Sequence, residues 1–354
     1  MNDTVQHLMR EATRLTQSGR LHEATAAIQR ALGSAAPARP NTSAAASPRP
    51  AAEVLDGHVF EVGPIASPNA SLGTGEFSSG THTQAGLTRH YKLYVPPGAA
   101  GKARPLVVML HGCTQNPDDF AAGTAMNERA REQGFLVLYP AQSPEANPSR
   151  CWNWFKHNHQ QRGSGEPAVL AGMTQAVMKQ HGIDARRVYI AGLSAGGAMA
   201  AIVAAAYPEL FAAVGVHSGL ARGAASNLPE ALAAMKSGGA GGGLISAVPT
   251  IVFHGDQDRT VHPRNGEQVI AAVRADGAAD AQIEQGACGQ GRRYTRSAHP
   301  ASADSASAEH WLVHGGGHAW SGGQAVGSYT EAKGPDATRE MLRFFFAHPK
   351  PPVH

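Results

Sequence analysis

The chain has 354 residues, 42% of them hydrophobic and 16% charged, with a formal net charge of +3. That length buries a full core and allows one large α/β domain with appendages. So slight a charge argues against nucleic acid or an anionic membrane surface as a partner, and no window approaches the roughly 18 consecutive apolar residues of a transmembrane span.

Three cysteines, Cys113, Cys151 and Cys288, are too few for a disulfide framework and too scattered for a zinc site. They fit one disulfide with a spare thiol, or three reduced thiols. The N-terminus shows no basic start followed by an apolar run, so no secretory signal is visible.

Residues 1–33 read as a helical hairpin arm. Val5, Leu8, Met9, Ala12 and Leu15 recur at helical spacing, Ser18-Gly19 breaks the pattern, and Leu21, Ala24, Ile28 and Leu32 resume it. Two such helices cannot bury their apolar faces alone, so the arm is expected to dock on the main domain, a second copy or another hydrophobic surface. Residues 34–57 are an Ala/Pro/Ser-rich linker, with Pro37, Pro40, Pro48 and Pro50, and have no means of forming a core.

From residue 58 to 354 the pattern becomes strands alternating with helices. Strands are expected at 91–95, 106–110, 135–139, 188–191, 212–216, 249–253 and 311–313, with helices at 167–180, 195–206 and 337–347. Such alternation implies a mainly parallel sheet with helices on both faces. Residues 219–247 contain a glycine run, Gly238-Gly239-Ala240-Gly241-Gly242-Gly243, and read as a flexible loop, either a cover over the site or a plain insertion.

The most informative stretch is Gly192-Leu193-Ser194-Ala195-Gly196, set between an apolar strand and a small-residue helix. A G-x-S-x-G pentapeptide in that context forces a sharp turn that lifts the serine hydroxyl out of the backbone. The glycines are expected there because a Cβ would collide with the neighbouring strand or helix. Serine is a poor nucleophile at its own pKa, so it needs a general base, an orienting acid and an oxyanion hole. In α/β-hydrolases the order along the chain is nucleophile, acid, histidine. The acid candidates follow a strand in His254-Gly255-Asp256-Gln257-Asp258; Asp258 is the choice, with Asp256 bracing the turn. In His314-Gly315-Gly316-Gly317-His318, the glycines let the chain bend back over the nucleophile. His318 stands at the tip, and His314, nearer the strand, reads as structural. The backbone N–H groups of Ala195 and Cys113 are the expected oxyanion donors, since strand 106–110 runs directly into His111-Gly112-Cys113. A cysteine nucleophile at Cys113 explains fewer residues. No metal and no organic cofactor is required.

The segments His111-Gly112-Cys113-Thr114-Gln115, Cys151-Trp152-Asn153-Trp154-Phe155, Gly192-Leu193-Ser194-Ala195-Gly196-Gly197 and Gly316-Gly317-His318-Ala319-Trp320-Ser321-Gly322-Gly323 together resemble the polyhydroxybutyrate depolymerase-type esterases of the α/β-hydrolase superfamily. The likeness covers roughly residues 80–347. It implies Ser194, Asp258 and His318 as the triad and Cys113 as the oxyanion cysteine. It also implies a polyester or oligoester substrate, most of all short-chain polyhydroxyalkanoate. The same grouping holds feruloyl and acetylxylan esterases, which keeps a carbohydrate ester as the alternative. A remoter alternative is a non-catalytic protein that coats polymer granules. Most relatives are exported, so the resemblance points outside the cell, while the missing signal leaves the cytoplasm as the alternative. Contact of residues 1–33 with a polymer-granule surface is compatible with catalysis. The oligomeric state stays open.

Trp152, Trp154 and Trp320 all lie in these motifs, as an apolar wall for substrate or as core; Trp320, two residues beyond the histidine, is the best placed for a wall. Cys113 and Cys151 would pair if the Cys-Trp-Asn-Trp loop folds over the oxyanion strand. Arg162-Gly163-Ser164-Gly165-Glu166 reads as a brace for that loop or as a substrate contact.

Overall fold

The computed structural model describes residues 73–84, 86–98, 101–239, 247–274, 280–288 and 291–352. The expected helical arm 1–33, the linker 34–57 and the middle of the glycine run lie outside the described residues.

Two nine-residue strands, β1 (Glu76–Gln84) and β2 (Leu87–Val95), form an antiparallel hairpin at one edge of the sheet. The centre is built from β3 (Leu106–Leu110), β4 (Leu136–Pro140), β5 (Val188–Leu193), β6 (Ala213–His217) and β7 (Thr250–Gly255). The far edge carries β8 (Gln282–Ala287), β9 (Arg293–His299) and β10 (Ala308–Val313). Among the described residues they join in one sheet in the order β1-β2-β4-β3-β5-β6-β7-β10-β9-β8. The six strands from β4 to β10 in that order are parallel, and antiparallel pairs flank them.

The parallel strands are buried on both faces, which is why they are near-continuous apolar runs such as Leu106-Val107-Val108-Met109-Leu110. Their side chains divide with the two-residue period of a strand. Val108, Leu110, Ile190, Val216 and Val252 join one core. Val107, Met109, Tyr189, Ile251 and Phe253 join the other. The helices are α1 (Pro117–Thr124), α2 (Met126–Gln133), α3 (Gly165–His181), α4 (Ala195–Ala206), α5 (Leu228–Ser237), α6 (Arg264–Ala271) and α7 (Ala337–Ala347). Helices α3 and α4 cover the first core, with Leu170, Met199 and Val203. The last helix covers the second, with Met341 and Phe345.

Several expectations need correction. Residues 219–247 are not simply a loop, since α5 occupies Leu228–Ser237, capped by the Asn227 side chain on the Glu230 amide and started by a proline. Three strands of this sheet, β1, β8 and β9, add to those expected. They are polar, and β8 is almost wholly exposed, so they carry no apolar run to read.

Backbone strain gathers at one end of the sheet. Of six non-glycine residues at positive φ among the described residues, Thr114, Arg150, Ser194, Ser218 and Tyr329 lie in segments that follow the carboxyl ends of β3, β4, β5, β6 and β10. Such strain persists only where surrounding structure holds it, and it clusters at functional sites.

Candidate active site

Ser194 sits between β5 and α4 with φ 57° and ψ −119°. The two flanking glycines explain how a non-glycine residue is held there. A Cβ on Gly192 would lie 2.4 Å from the Gly196 carbonyl carbon, and one on Gly196 would lie 2.0 Å from the Leu110 carbonyl oxygen. Only a chain without side chains at both positions can turn so tightly against β3. The Ser194 N–H donates to the His217 carbonyl at 2.8 Å, tying the elbow to the end of β6. Helices α1, α5 and α7 are capped by the side chains of Asn116, Asn227 and Asp336, whereas the Ser194 hydroxyl does not cap α4. It is left available for other chemistry.

Asp258 and His318 meet. His318 Nδ1 lies 2.7 Å from Asp258 Oδ2. The other carboxylate oxygen, Oδ1, accepts from the amides of Thr260 and Val261, each at 2.9 Å. Behind them His254 Nε2 donates to the Val261 carbonyl at 2.8 Å and stands 3.5 Å from Asp258 Oδ2. Burial would raise the Asp258 carboxyl. The nearby His254 imidazole, with hydrogen bonds from His318 and the Val261 amide, outweighs that and holds it far below the usual carboxylate range. An ionised Asp258 requires the proton on His318 Nδ1, which leaves Nε2 as the basic nitrogen. Ser194 and His318 are not hydrogen-bonded to each other among the described residues; such pairs often tighten only when substrate binds.

Asp256 makes a separate pair. Its Oδ2 lies 2.9 Å from His314 Nδ1 and its Oδ1 accepts from the Gly315 amide at 2.7 Å, so it braces the turn that carries His318.

The segment after β3 is held from several sides. His111 Nε2 accepts from the Gln142 amide at 3.1 Å, so its Nδ1 carries the proton and donates to the Gly112 carbonyl at 2.8 Å. Burial pushes this imidazole down to about 4, which keeps it neutral. Gln115 accepts from the Gly112 amide and donates to Asp119 and to the Ser328 carbonyl. Cys113 is joined by a disulfide to Cys151, and Cys288 is the free cysteine. The Cys113 amide makes no backbone hydrogen bond among the described residues, while its neighbours Thr114 and Gln115 do. Ala195, as the first residue of α4, has no partner within the helix for its own N–H. Neither amide has a backbone partner of this kind among the described residues.

Glu166, the last residue of the expected brace, is wholly buried at the start of α3. It accepts from the Asn153 amide at 2.7 Å, Asn153 Nδ2 at 2.8 Å, Gln142 Nε2 at 2.5 Å and Arg89 Nη2 at 3.4 Å. Arg162 donates to the Ala206 carbonyl and pairs with Glu209. Of this segment, Glu166 braces the loop, while Arg162 and Gly163 are exposed.

The tryptophans need correction. Trp320 is 1% exposed, Trp152 0% and Trp154 5%, so none forms an apolar wall. Each indole has a partner that takes it inward. Trp320 donates to Thr338 Oγ1 and meets Phe120 edge-on, Trp152 donates to the His111 carbonyl, and Trp154 packs edge-on against Phe155. An exposed ring beside the segment after β3 is Tyr329, 46% exposed, whose hydroxyl is 3.1 Å from Thr114 Oγ1. Its only sequence signal is a position downstream of His318.

Comparison with known proteins agrees with this architecture. The chain is 33% identical over 202 residues to poly(3-hydroxyalkanoate) depolymerase C of Paucimonas lemoignei, covering 53% of this chain and 48% of that protein. It is 31% identical over 198 residues to a probable acetylxylan esterase A of Neosartorya fischeri, covering 49% and 51%. The chain thus spans about half the length of these curated relatives. An acetyl xylan esterase structure from Aspergillus awamori superposes with a TM-score of 0.58 at 22% identity, over 76% of this chain and 99% of that one, which establishes a shared fold. The family model described as esterase PHB depolymerase matches residues 89–295, a span that takes in Cys113, Ser194 and Asp258 and ends before His318. With more than half of its length matched, the chain belongs to the PHB depolymerase esterase family of α/β-hydrolases.

Proposed function

We propose that this chain is a serine esterase that cleaves carboxylic esters through an acyl-enzyme. The observation that carries the reading is the 2.7 Å pair of His318 and Asp258, presented by loops at the same end of the sheet as the strained Ser194 elbow. In this reading His318 Nε2 takes the proton of Ser194 Oγ as that oxygen attacks the ester carbonyl, and then hands it to the departing alcohol. Asp258 holds the imidazole in the required tautomer and stabilises its charged form. The amides of Ala195 and Cys113 receive the oxyanion, each such donor lowering the barrier by about 3–4 kcal/mol in comparable sites. Water then releases the acid by the same steps in reverse.

The preferred substrate is a short-chain polyhydroxyalkanoate or its oligomers, a reading supported by the four motifs and the depolymerase relative. A carbohydrate ester is the second reading, favoured by the acetylxylan esterase relative. The test is a panel of hydroxybutyrate oligomers and acetylated or feruloylated sugars, offered to wild type and Ser194→Ala. Turnover of the oligomers by wild type alone is expected. Exclusive turnover of sugar esters would overturn the substrate choice, and turnover unchanged by the substitution would overturn the mechanism.

Residues 1–33 are proposed to contact the polymer-granule surface, on the strength of their two amphipathic repeats. Their deletion is expected to reduce association with polymer while small-ester hydrolysis continues; unchanged association would refute the role.

A further inference from the structure

The end of β6 carries a histidine that the proposed mechanism does not use. His217 pairs in register with Leu193 on the nucleophile strand and with Phe253 on the acid strand. Its carbonyl accepts the Ser194 N–H at 2.8 Å. Its imidazole is 1% exposed and stacked between two rings, Phe253 at 5.7 Å and Trp320 at 5.1 Å between centroids. Nε2 lies 2.9 Å from the backbone nitrogen of Ser321, three residues beyond His318. That nitrogen can only donate, so His217 Nε2 is the acceptor and the ring proton sits on Nδ1, 3.2 Å from Ser218 Oγ.

One residue thus meets all three limbs of the site, the elbow through its backbone and the other two through its imidazole. The nucleophile elbow hangs from its backbone, the acid strand stacks on one face, and the segment leaving His318 is hydrogen-bonded to its edge. Beyond His318 that segment is also pinned by the Trp320 amide on the Tyr329 carbonyl, at 2.7 Å, and by the Trp320 indole on Thr338. The Ser321 bond ties the histidine segment to the end of β6, where the His217 carbonyl also holds the Ser194 N–H.

We infer that His217 is a positioning residue for the reaction proposed above, its Nε2 lone pair fixing the His318 segment relative to Ser194 through the Ser321 amide. The inference rests on the esterase reading. The arrangement requires a neutral ring, because a second N–H would face the Ser321 donor. Burial, with His254 and His318 nearby, pushes the imidazole down to about 3, so neutrality holds throughout the ordinary working range.

The test uses full-length His217→Phe, which keeps the stacked ring without the acceptor, and His217→Gln, whose amide oxygen reaches the place of Nε2. His217→Phe is expected to lose about ten- to hundredfold in kcat on a soluble 4-nitrophenyl ester with KM little changed, because the fault lies in aligning the reacting groups. His217→Gln should recover most of that loss. A second readout needs no turnover. The low-field proton NMR resonance of the His318–Asp258 hydrogen bond should persist in wild type and His217→Gln and broaden or shift in His217→Phe. Should His217→Phe fail to fold, His217→Asn, whose short amide cannot reach the Nε2 position, is expected to show the same defects. Wild-type kcat and resonance in His217→Phe or His217→Asn, or a His217→Gln as impaired as they are, would overturn the inference. A wild type inert to every ester would sink the esterase reading instead, and the resonance would still judge His217.

Discussion

Replacing Asp258 by Asn removes a charge while changing almost no volume, and the structure dictates how the new amide must sit. Oδ1 accepts from two backbone amides, Thr260 and Val261, each at 2.9 Å. Turning the Asn NH2 toward them would set donors against donors twice. The amide oxygen therefore keeps that place, and the NH2 takes the position of Oδ2, 2.7 Å from His318 Nδ1. His318 must then accept at Nδ1 and carry its proton on Nε2, where it cannot take the proton of Ser194. The equivalent change in a serine protease triad costs about ten-thousandfold in kcat, or about 5.4 kcal/mol of barrier. The assay is steady-state hydrolysis of a 4-nitrophenyl ester by Asp258→Asn beside Asp256→Asn. Because the Asp256 carboxylate bonds His314 and the Gly315 amide and not His318 among the described residues, its variant should lose far less. An Asp258→Asn enzyme within tenfold of wild type, or one less impaired than Asp256→Asn, would refute the reasoning.

Further outcomes follow from the same contacts. Gly196→Ala puts a Cβ 2.0 Å from the Leu110 carbonyl oxygen, and a displacement of about 1 Å at the elbow is expected to cost roughly a hundredfold in kcat, read by the same assay. Replacing Cys113 and Cys151 together by Ala removes the link between the oxyanion segment and the Trp152 loop. Looser placement of one amide donor should lower kcat by less than the roughly hundred- to thousandfold lost when such a donor is deleted, with KM little altered in steady-state kinetics. Glu166→Gln leaves Arg89, which is 4% exposed, without its carboxylate and should destabilise the fold by about 3–5 kcal/mol in denaturant unfolding. Burial would raise the Glu166 carboxyl, but the His159 imidazole 3.5 Å away and bonds from Gln142 and Asn153 hold it below its ordinary value. Its contribution is therefore complete above the ordinary carboxylate pKa and is lost as pH falls through the lower folded value. Wild type should lose Tm more steeply than Glu166→Gln on acidification across that window.

The parts of the fold that can be read from sequence are those whose causes are local. The five residues of β3 are apolar because both faces are covered, and the elbow announces itself because Gly192 and Gly196 have no alternative. The disulfide of Cys113 is local to the oxyanion loop only in space. The polar edge strands β1, β8 and β9 are held by neighbours and carry no apolar rhythm of their own. Trp320 shows the same limit within the site. Its place beside His318 suggested a wall, yet its orientation is set by Phe120 and Thr338, one of them two hundred residues upstream. His217 is silent in sequence for a like reason, since its partner Ser321 lies 104 positions away. Position at a strand end does not by itself show which carboxylate each histidine meets. Asp256 pairs with His314 and Asp258 with His318.

The central claim is that one serine hydroxyl is made reactive by its surroundings. Intact-mass measurement after exposure to a fluorophosphonate, followed by peptide mapping, tests it most directly. A single adduct on Ser194, absent from Ser194→Ala and slowed in Asp258→Asn, is the predicted result. A wild type that takes up no label, or takes it up at another residue, would contradict the account.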